Sequence, residues 1–178
     1  RLDAHLLLER HQHALLAAGH RRIAMLRGYE CLVDDARYHG YMAALSGYGI
    51  AVDEVLIERA NFRFEPAVTV AEEILGSPSP PSAVFAANDL EALGVMEAAR
   101  RSGLSVPGDL SVVGFDDSMY ASASSPQLTT VRQPFVQMGE VAYQLLSDQM
   151  DGRDPAAVRV ELAATLVIRD STAPPRAL

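Results

Sequence analysis

Lysine is absent from this 178-residue sequence; all fifteen basic residues are arginine. That excludes chemistry built on a primary ammonium: P-loop phosphate binding, Schiff-base catalysis and a lysine-assisted phospho-aspartate switch. Cysteine is nearly absent too. Cys31 stands alone, so neither an internal disulfide nor a multi-cysteine zinc or iron–sulfur site is available. Its expected role is that of a small buried or half-buried side chain, which fits a reducing compartment. No apolar run approaches the roughly 18 residues of a membrane-spanning helix. Charges interrupt the apolar part of "RLDAHLLLERHQHALLAAGH", so it lacks a signal-peptide layout. Positive charge is in deficit, with a net charge of -8 and a pI of about 5.0. This argues against the chain itself gripping nucleic acid or an anionic membrane.

Hydrophobic residues make up 49% of the sequence, enough for a real core in one domain or in a large part of a two-lobed protein. Helix and strand signals alternate. Helices are predicted over residues 4–18, 35–49, 65–77, 89–102 and 134–150, from apolar residues at helical spacing, with glycine stops at Gly19 and Gly103. Strands are predicted for "RRIAML" (21–26), "EVLIER" (54–59), "AVFAA" (83–87), "LSVVGF" (110–115), "QLTTVRQ" (127–133), "VRVEL" and "TLVIR". The closing "STAPPRAL" reads as a disordered tail. This alternation predicts an α/β fold with a mostly parallel open sheet flanked by helices.

In such sheets ligands bind outside the carboxyl ends of the strands. Asn61, Phe62, Asn88, Asp89, Asp116, Asp117 and Gln133 all sit at or shortly after predicted strand ends. Asp116 and Asp117 form a carboxylate pair of the kind that holds Mg²⁺ for phosphoryl transfer, but a phosphoacceptor site also calls for a lysine. No metal and no cofactor is expected. Nucleophilic hydrolysis needs a Ser or Cys on a sharp turn with a His and an acid within reach. There is no Gly-x-Ser-x-Gly, and all five histidines fall within the first 39 residues, at spacings that make no metal motif. Asp34 and Asp35 read as cap and first-turn residues of the helix that follows them.

A binding set remains, and the chain is expected not to be an enzyme. Asn88 offers a donor and an acceptor, Asp116 acceptors, Arg37 a fork of donors and Phe62 a flat apolar face. These groups suit the vicinal hydroxyls and C–H face of a sugar ring. One residue of each pair, Asn88/Asp89 and Asp116/Asp117, is expected to cap or hold a turn while the other faces the ligand. Asp117 is the turn residue of its pair.

"GHRRIAML" (19–26), "ARYHGYMAAL" (36–45), "PSAVFAANDLEALGVMEAARRSGLSVPGDLSVVGFDDS" (81–118) and "PQLTTVRQP" (126–134) together resemble the lactose-repressor (LacI/GalR) family of bacterial transcription regulators, in order over about residues 5–170. The resemblance implies a periplasmic-binding-protein-like effector domain of two α/β lobes, with a sugar or similar small polar molecule in the cleft. It also implies a homodimer, a cytoplasmic location, and operator DNA read by a separate N-terminal helix-turn-helix. Arg37, ahead of Gly40-Tyr41, matches the family's effector-binding arginine, and Phe62 its stacking aromatic. Asn88 matches the asparagine of the "AND" motif and Asp116 the first acid of "GFDD". Gln133 and Phe135 match cleft-lining positions of the crossing segment. Asp3 lies where the family often carries an Asp or Asn, and its register is not assigned. Mapped onto the family, residues 1–131 correspond to the C-terminal lobe, 132–163 to an excursion into the N-terminal lobe, and 164–178 to a return strand and tail. The chain is therefore expected to be part of a longer repressor, with an interface left exposed. A transporter's sugar-binding receptor, which shares the fold, is the alternative.

Overall fold

The computed structural model describes residues 14–153 and 160–176. A four-stranded parallel sheet has the order β2-β1-β3-β4, with β1 Ile23–Arg27, β2 Ile57–Arg59, β3 Ala83–Ala86 and β4 Ser111–Val113. Three helices make the crossovers: α1 Leu32–Gly47, α2 Phe64–Leu75 and α3 Asp89–Arg101. A short helix, α4 (Met119–Ala123), leads to β5 (Thr130–Arg132), then α5 (Phe135–Met150) and β6 (Thr165–Val167). β5 and β6 form an antiparallel pair with Val131 opposite Leu166. Isolated parallel bridges from Val113 to Thr129 and from Asp116 to Arg132 join β5 to the end of β4.

The central strands read as unbroken apolar runs because both faces are covered. Successive side chains leave a strand on opposite sides. Ala24, Leu26, Val84, Ala86 and Val112 pack under α2 and α3 with Ala67, Ala71, Val95 and Ala99. Ile23, Met25, Phe85 and Val113 pack on the other face with Leu15, Leu16, Tyr41 and Leu45. Gly94 sets the α2–α3 contact. A Cβ there would lie 2.6 Å from the Phe64 carbonyl oxygen and 2.7 Å from Ala67 Cβ.

Several element boundaries differ from the sequence reading. The first predicted helix lies mostly outside the described residues, which show its end at 14–17. In "EVLIER", Glu54–Leu56 is a 3₁₀ turn capped by Asp53, and the strand begins at Ile57. α1 starts at Leu32, three residues before the predicted start, so Asp34 and Asp35 lie inside its first turn and the N-cap position is Cys31. Within "VRVEL", residues 160–162 form no strand, since the ladder with β5 begins only at Thr165.

Residues 171–176 of the predicted disordered tail are packed against the sheet. Ser171 is fully buried; its Oγ donates to the Val112 carbonyl and accepts from Thr129 N–H, at 2.6 and 2.8 Å. The Ala173 carbonyl accepts from Ser111 Oγ at 2.9 Å and lies 2.9 Å from His20 Nε2. A polar segment is held here because it satisfies the open edge of β4, a matter of tertiary geometry that its composition does not reveal.

Candidate functional site

The carboxyl ends of β1, β2, β3 and β4 face one side of the sheet, and five of the six predicted site residues meet there. Arg37 comes from the second turn of α1 and is only 6% exposed. Its guanidinium lies 4.2 Å from the Phe115 ring centroid and 5.7 Å from that of Phe62. Arg37 Nη2 stands 3.8 Å from Asp116 Oδ1, and Nε is buried without a hydrogen-bond partner. Burial lowers the proton affinity of this guanidinium, and the nearby Asp116 and Asp34 carboxylates oppose that effect.

Phe62 is half-buried after β2. Its ring meets Tyr29 edge-on at 5.0 Å and covers Gly28, where a Cβ would come within 2.0 Å of it. Glycine at 28 is what makes room for the aromatic. Asn61 and Phe62 both have positive φ, 57° and 58°, a conformation that is costly for a bulky side chain. Asp116 and Asp117 share this property at 107° and 53°. Backbone strain thus collects in the two loops that present Phe62 and Asp116, as it does at sites where the surrounding structure over-determines a loop.

Asp116 is partly exposed and accepts a 2.7 Å hydrogen bond from Gln133 Nε2. Burial raises its proton affinity, and Gln133 and Arg37 pull it back. Asp117 turns the other way. It pairs with Arg132 at 2.5 Å and with Arg169 at 2.6 Å. Burial alone would raise its pKa, and the two arginines more than offset this and hold it below the usual carboxylate range. Asp117 therefore ties the turn to β5 and to the chain leaving β6. Asp117→Ala is expected to cost about 1–3 kcal/mol, read from urea unfolding, because it strands the mostly buried Arg169; a cost near zero would remove Asp117 from this role.

The expected split does not hold at Asn88/Asp89. Asn88 is the cap of α3: its Oδ1 accepts from Glu91 N–H at 2.9 Å, and its Nδ2 donates to the Phe62 carbonyl at 3.3 Å. Asp89 does not face the site. It is buried, accepting from Thr130 Oγ1 at 2.5 Å and from Ser118 N–H at 2.6 Å. Phe135 is 54% exposed at the start of α5, and its backbone N–H donates to the Gln133 carbonyl at 2.9 Å.

Three participants escaped the sequence reading. Phe115 looked like the end of a core strand, yet its face supports Arg37. Asp34 looked like an ordinary helix cap. It is fully buried and accepts from Gly28 N–H, Arg27 and Arg59. Glu91 is fully buried as well, and accepts from Phe62 N–H at 2.7 Å and Ala87 N–H at 3.0 Å. Its spacing after Asn88 matches a capping box, a signal that was available but describes a different use of the carboxylate. Among the described residues, no three His, Cys, Asp or Glu side chains gather as a metal site, and no helix is long and apolar enough to cross a membrane.

A periplasmic binding protein-like domain family matches residues 13–172. The HTH-type transcriptional repressor CytR of Escherichia coli K12 is 40% identical over 159 residues, covering 89% of this chain and 47% of CytR. The HTH-type regulator CelR of Thermobifida fusca is 38% identical over 158 residues, covering 88% and 46%. The chain belongs to the LacI/GalR family and carries its periplasmic binding protein-like domain. It spans about half the length of the curated relatives it matches. Solved LacI-family structures superpose closely. The complex of transcriptional regulator CelR with cellobiose gives a TM-score of 0.89 at 35% identity, over 96% of this chain and 52% of that one. The lac repressor dimer bound to operator and the anti-inducer ONPF gives 0.88 at 29%, over 97% and 59%.

Proposed function

We propose that this chain is the effector-sensing and dimerisation part of a cytoplasmic DNA-binding transcription regulator, and that its effector is an uncharged, hydroxyl-rich molecule of the sugar class. The observation that carries this reading is Arg37: a buried guanidinium between two aromatic rings, with Nε unpartnered and Asp116 beside it. Such a site supplies donors, acceptors and an apolar face, and its opposite charges nearly cancel, which suits vicinal hydroxyls better than an anion. Asn88 keeps a second amide proton for the ligand, and Gln133 relays to Asp116. Phe135 joins the same cleft from α5.

Binding is the chemistry proposed for this site. The effector acts by differential affinity for two lobe arrangements, where ~1–3 kcal/mol suffices, and the operator is read by a helix-turn-helix outside these residues. On this reading, stretch 1–131 corresponds to one lobe of the family's domain, 132–163 to a crossing into the other and 164–178 to the return. The exposed Val136, Tyr143, Leu146 and Met150 of α5 fit an element whose partner surface belongs to the second lobe. That the relatives are regulators favours this reading over a transporter receptor.

The test is a thermal-shift screen of the full-length regulator against cellobiose, other neutral sugars and nucleosides. A shift with a neutral polyol ligand is expected. Turnover of a bound sugar, or a response confined to anionic compounds, contradicts the proposal.

The second copy has a place to dock. Met119 and Tyr120 on α4 are 76% and 51% exposed. Just past α4, Ser124, Ser125 and Pro126 line a cavity of about 400 Å³ with Phe64, Leu93, Met96, Leu104 and Val106, rimmed by the charged Glu97 and Arg100. A largely apolar surface with a charged rim suits a self-complementary interface, and a LacI-family neighbour is itself a dimer. Tyr120→Asp is expected to shift the sedimentation equilibrium towards monomer; unchanged dimerisation would move the interface elsewhere.

A further inference from the structure

Phe62 is held at both ends of its own peptide unit. Its N–H donates to Glu91 Oε1 at 2.7 Å, and its carbonyl accepts from Asn88 Nδ2 at 3.3 Å. The other Glu91 oxygen accepts from Ala87 N–H at the end of β3, at 3.0 Å. One fully buried carboxylate in the first turn of α3 therefore ties the left-handed Phe62 loop to the central sheet. The two ties differ in importance. Ala87 N–H also donates to the Leu26 carbonyl at 3.0 Å, whereas Phe62 N–H donates to Glu91.

We propose that Glu91 is a positioning residue of the site, whose ionised carboxylate holds Phe62 in the ligand-ready conformation. The proposal rests on the effector-site reading above and extends it to a residue that never touches ligand. A carboxylate accepts at both oxygens. A carboxylic acid has turned one oxygen into a donor, so it serves two inward-pointing N–H groups poorly. When Glu91 takes up a proton from solvent, the grip on the Phe62 loop loosens.

Burial pushes this carboxyl up to about 7, against the two backbone hydrogen bonds that lower it. The charged groups facing it are Asp34 and Arg37 of α1; Asp34 raises its proton affinity and Arg37 lowers it. The transition therefore falls in the neutral range and moves two properties in opposite directions. A carboxyl raised above its ordinary 4.5 stabilises the fold fully only below that value, and the contribution is lost as pH rises through about 7. Effector affinity should instead rise over the same interval. The ionised fraction goes from roughly a tenth at pH 6 to roughly nine-tenths at pH 8, an affinity gain of up to about ninefold. A merely structural role would move stability and affinity together.

The test follows the Phe62 amide resonance of the ¹⁵N-labelled chain from pH 5.5 to 8.5, and measures stability and cellobiose binding at pH 6 and 8. Expected are a Phe62 amide titration centred near pH 7, tighter binding and slightly lower stability at pH 8, and loss of all three pH steps in Glu91→Gln. A Phe62 amide flat across the range overturns the proposal, as does a pH-independent affinity or a step that survives in Glu91→Gln. If the variant does not fold, the wild-type titration still decides. A chain that binds no cellobiose at either pH counts against the choice of ligand class, and the amide titration then judges Glu91 by itself.

Discussion

Asp116→Ala is expected to abolish effector binding while leaving the fold intact. The carboxylate is partly exposed, and its hydrogen-bond partner is the side chain of Gln133, which solvent can satisfy instead. The cost to stability is therefore small, about 1 kcal/mol. For the ligand the loss is large. A carboxylate that grips two hydroxyls makes two charge-assisted hydrogen bonds of roughly 1.5–3 kcal/mol each. Together these approach roughly 3–6 kcal/mol, beyond about a hundredfold in affinity. Arg37 would also lose the opposite charge 3.8 Å away that helps keep its buried guanidinium favourable. Asp116 has φ of 107°, where Asn is tolerated better than Ala, so Asp116→Asn is the control for backbone strain. Both variants should melt near the wild-type temperature without ligand and show no shift with the compound that shifts the wild type. A shift of wild-type size in either one removes Asp116 from the site.

Asp34→Ala should cause the largest loss of stability. The carboxylate is completely buried and binds Arg27 Nη2 at 2.6 Å, Gly28 N–H at 2.8 Å and Arg59 Nη1 at 3.2 Å. Removing one partner from such a network leaves the rest desolvated and uncompensated, at a cost of about 3–5 kcal/mol. Urea denaturation would show this as a lower midpoint with an unchanged slope. Asp34→Asn, which keeps an acceptor for Gly28 N–H but loses the charge, should fall in between. A loss below about 1 kcal/mol would mean that solvent replaces the carboxylate. Because Gly28 is the seat of the Phe62 ring, Asp34→Asn should also weaken effector binding. In this way a residue outside the cleft bears on the ligand.

Legibility in the sequence followed the range of the forces involved. Strands 23–27, 83–86 and 111–113 were readable because burial on both faces demands an unbroken apolar run, which is a local property. The strand-end rule then brought Phe62, Asn88, Asp116 and Gln133 into view, while Arg37, inside a helix, came from its donor chemistry and the family resemblance. The structural use of Asp117, paired with Arg132 and Arg169, was also anticipated. The error at Asn88/Asp89 has a clear cause. The capping-box spacing from Asn88 to Glu91 marks the cap locally, but that Asp89 turns inward depends on the β5 hydroxyl of Thr130, forty-one residues away, and nothing local encodes that.

The same reason covers the tail. "STAPPRAL" has the composition of a disordered end, and only the open edge of β4 makes Ser171 and Ala173 structural. Glu91 and Asp34 show this contrast most plainly. Sequence alone determined that both lie at helix starts, where negative charge is favourable. Tertiary structure decided that both turn inward. The loops after β1 and β2 bring peptide N–H groups that would be buried without acceptors, and a carboxylate in a helix's first turn is close enough to satisfy them.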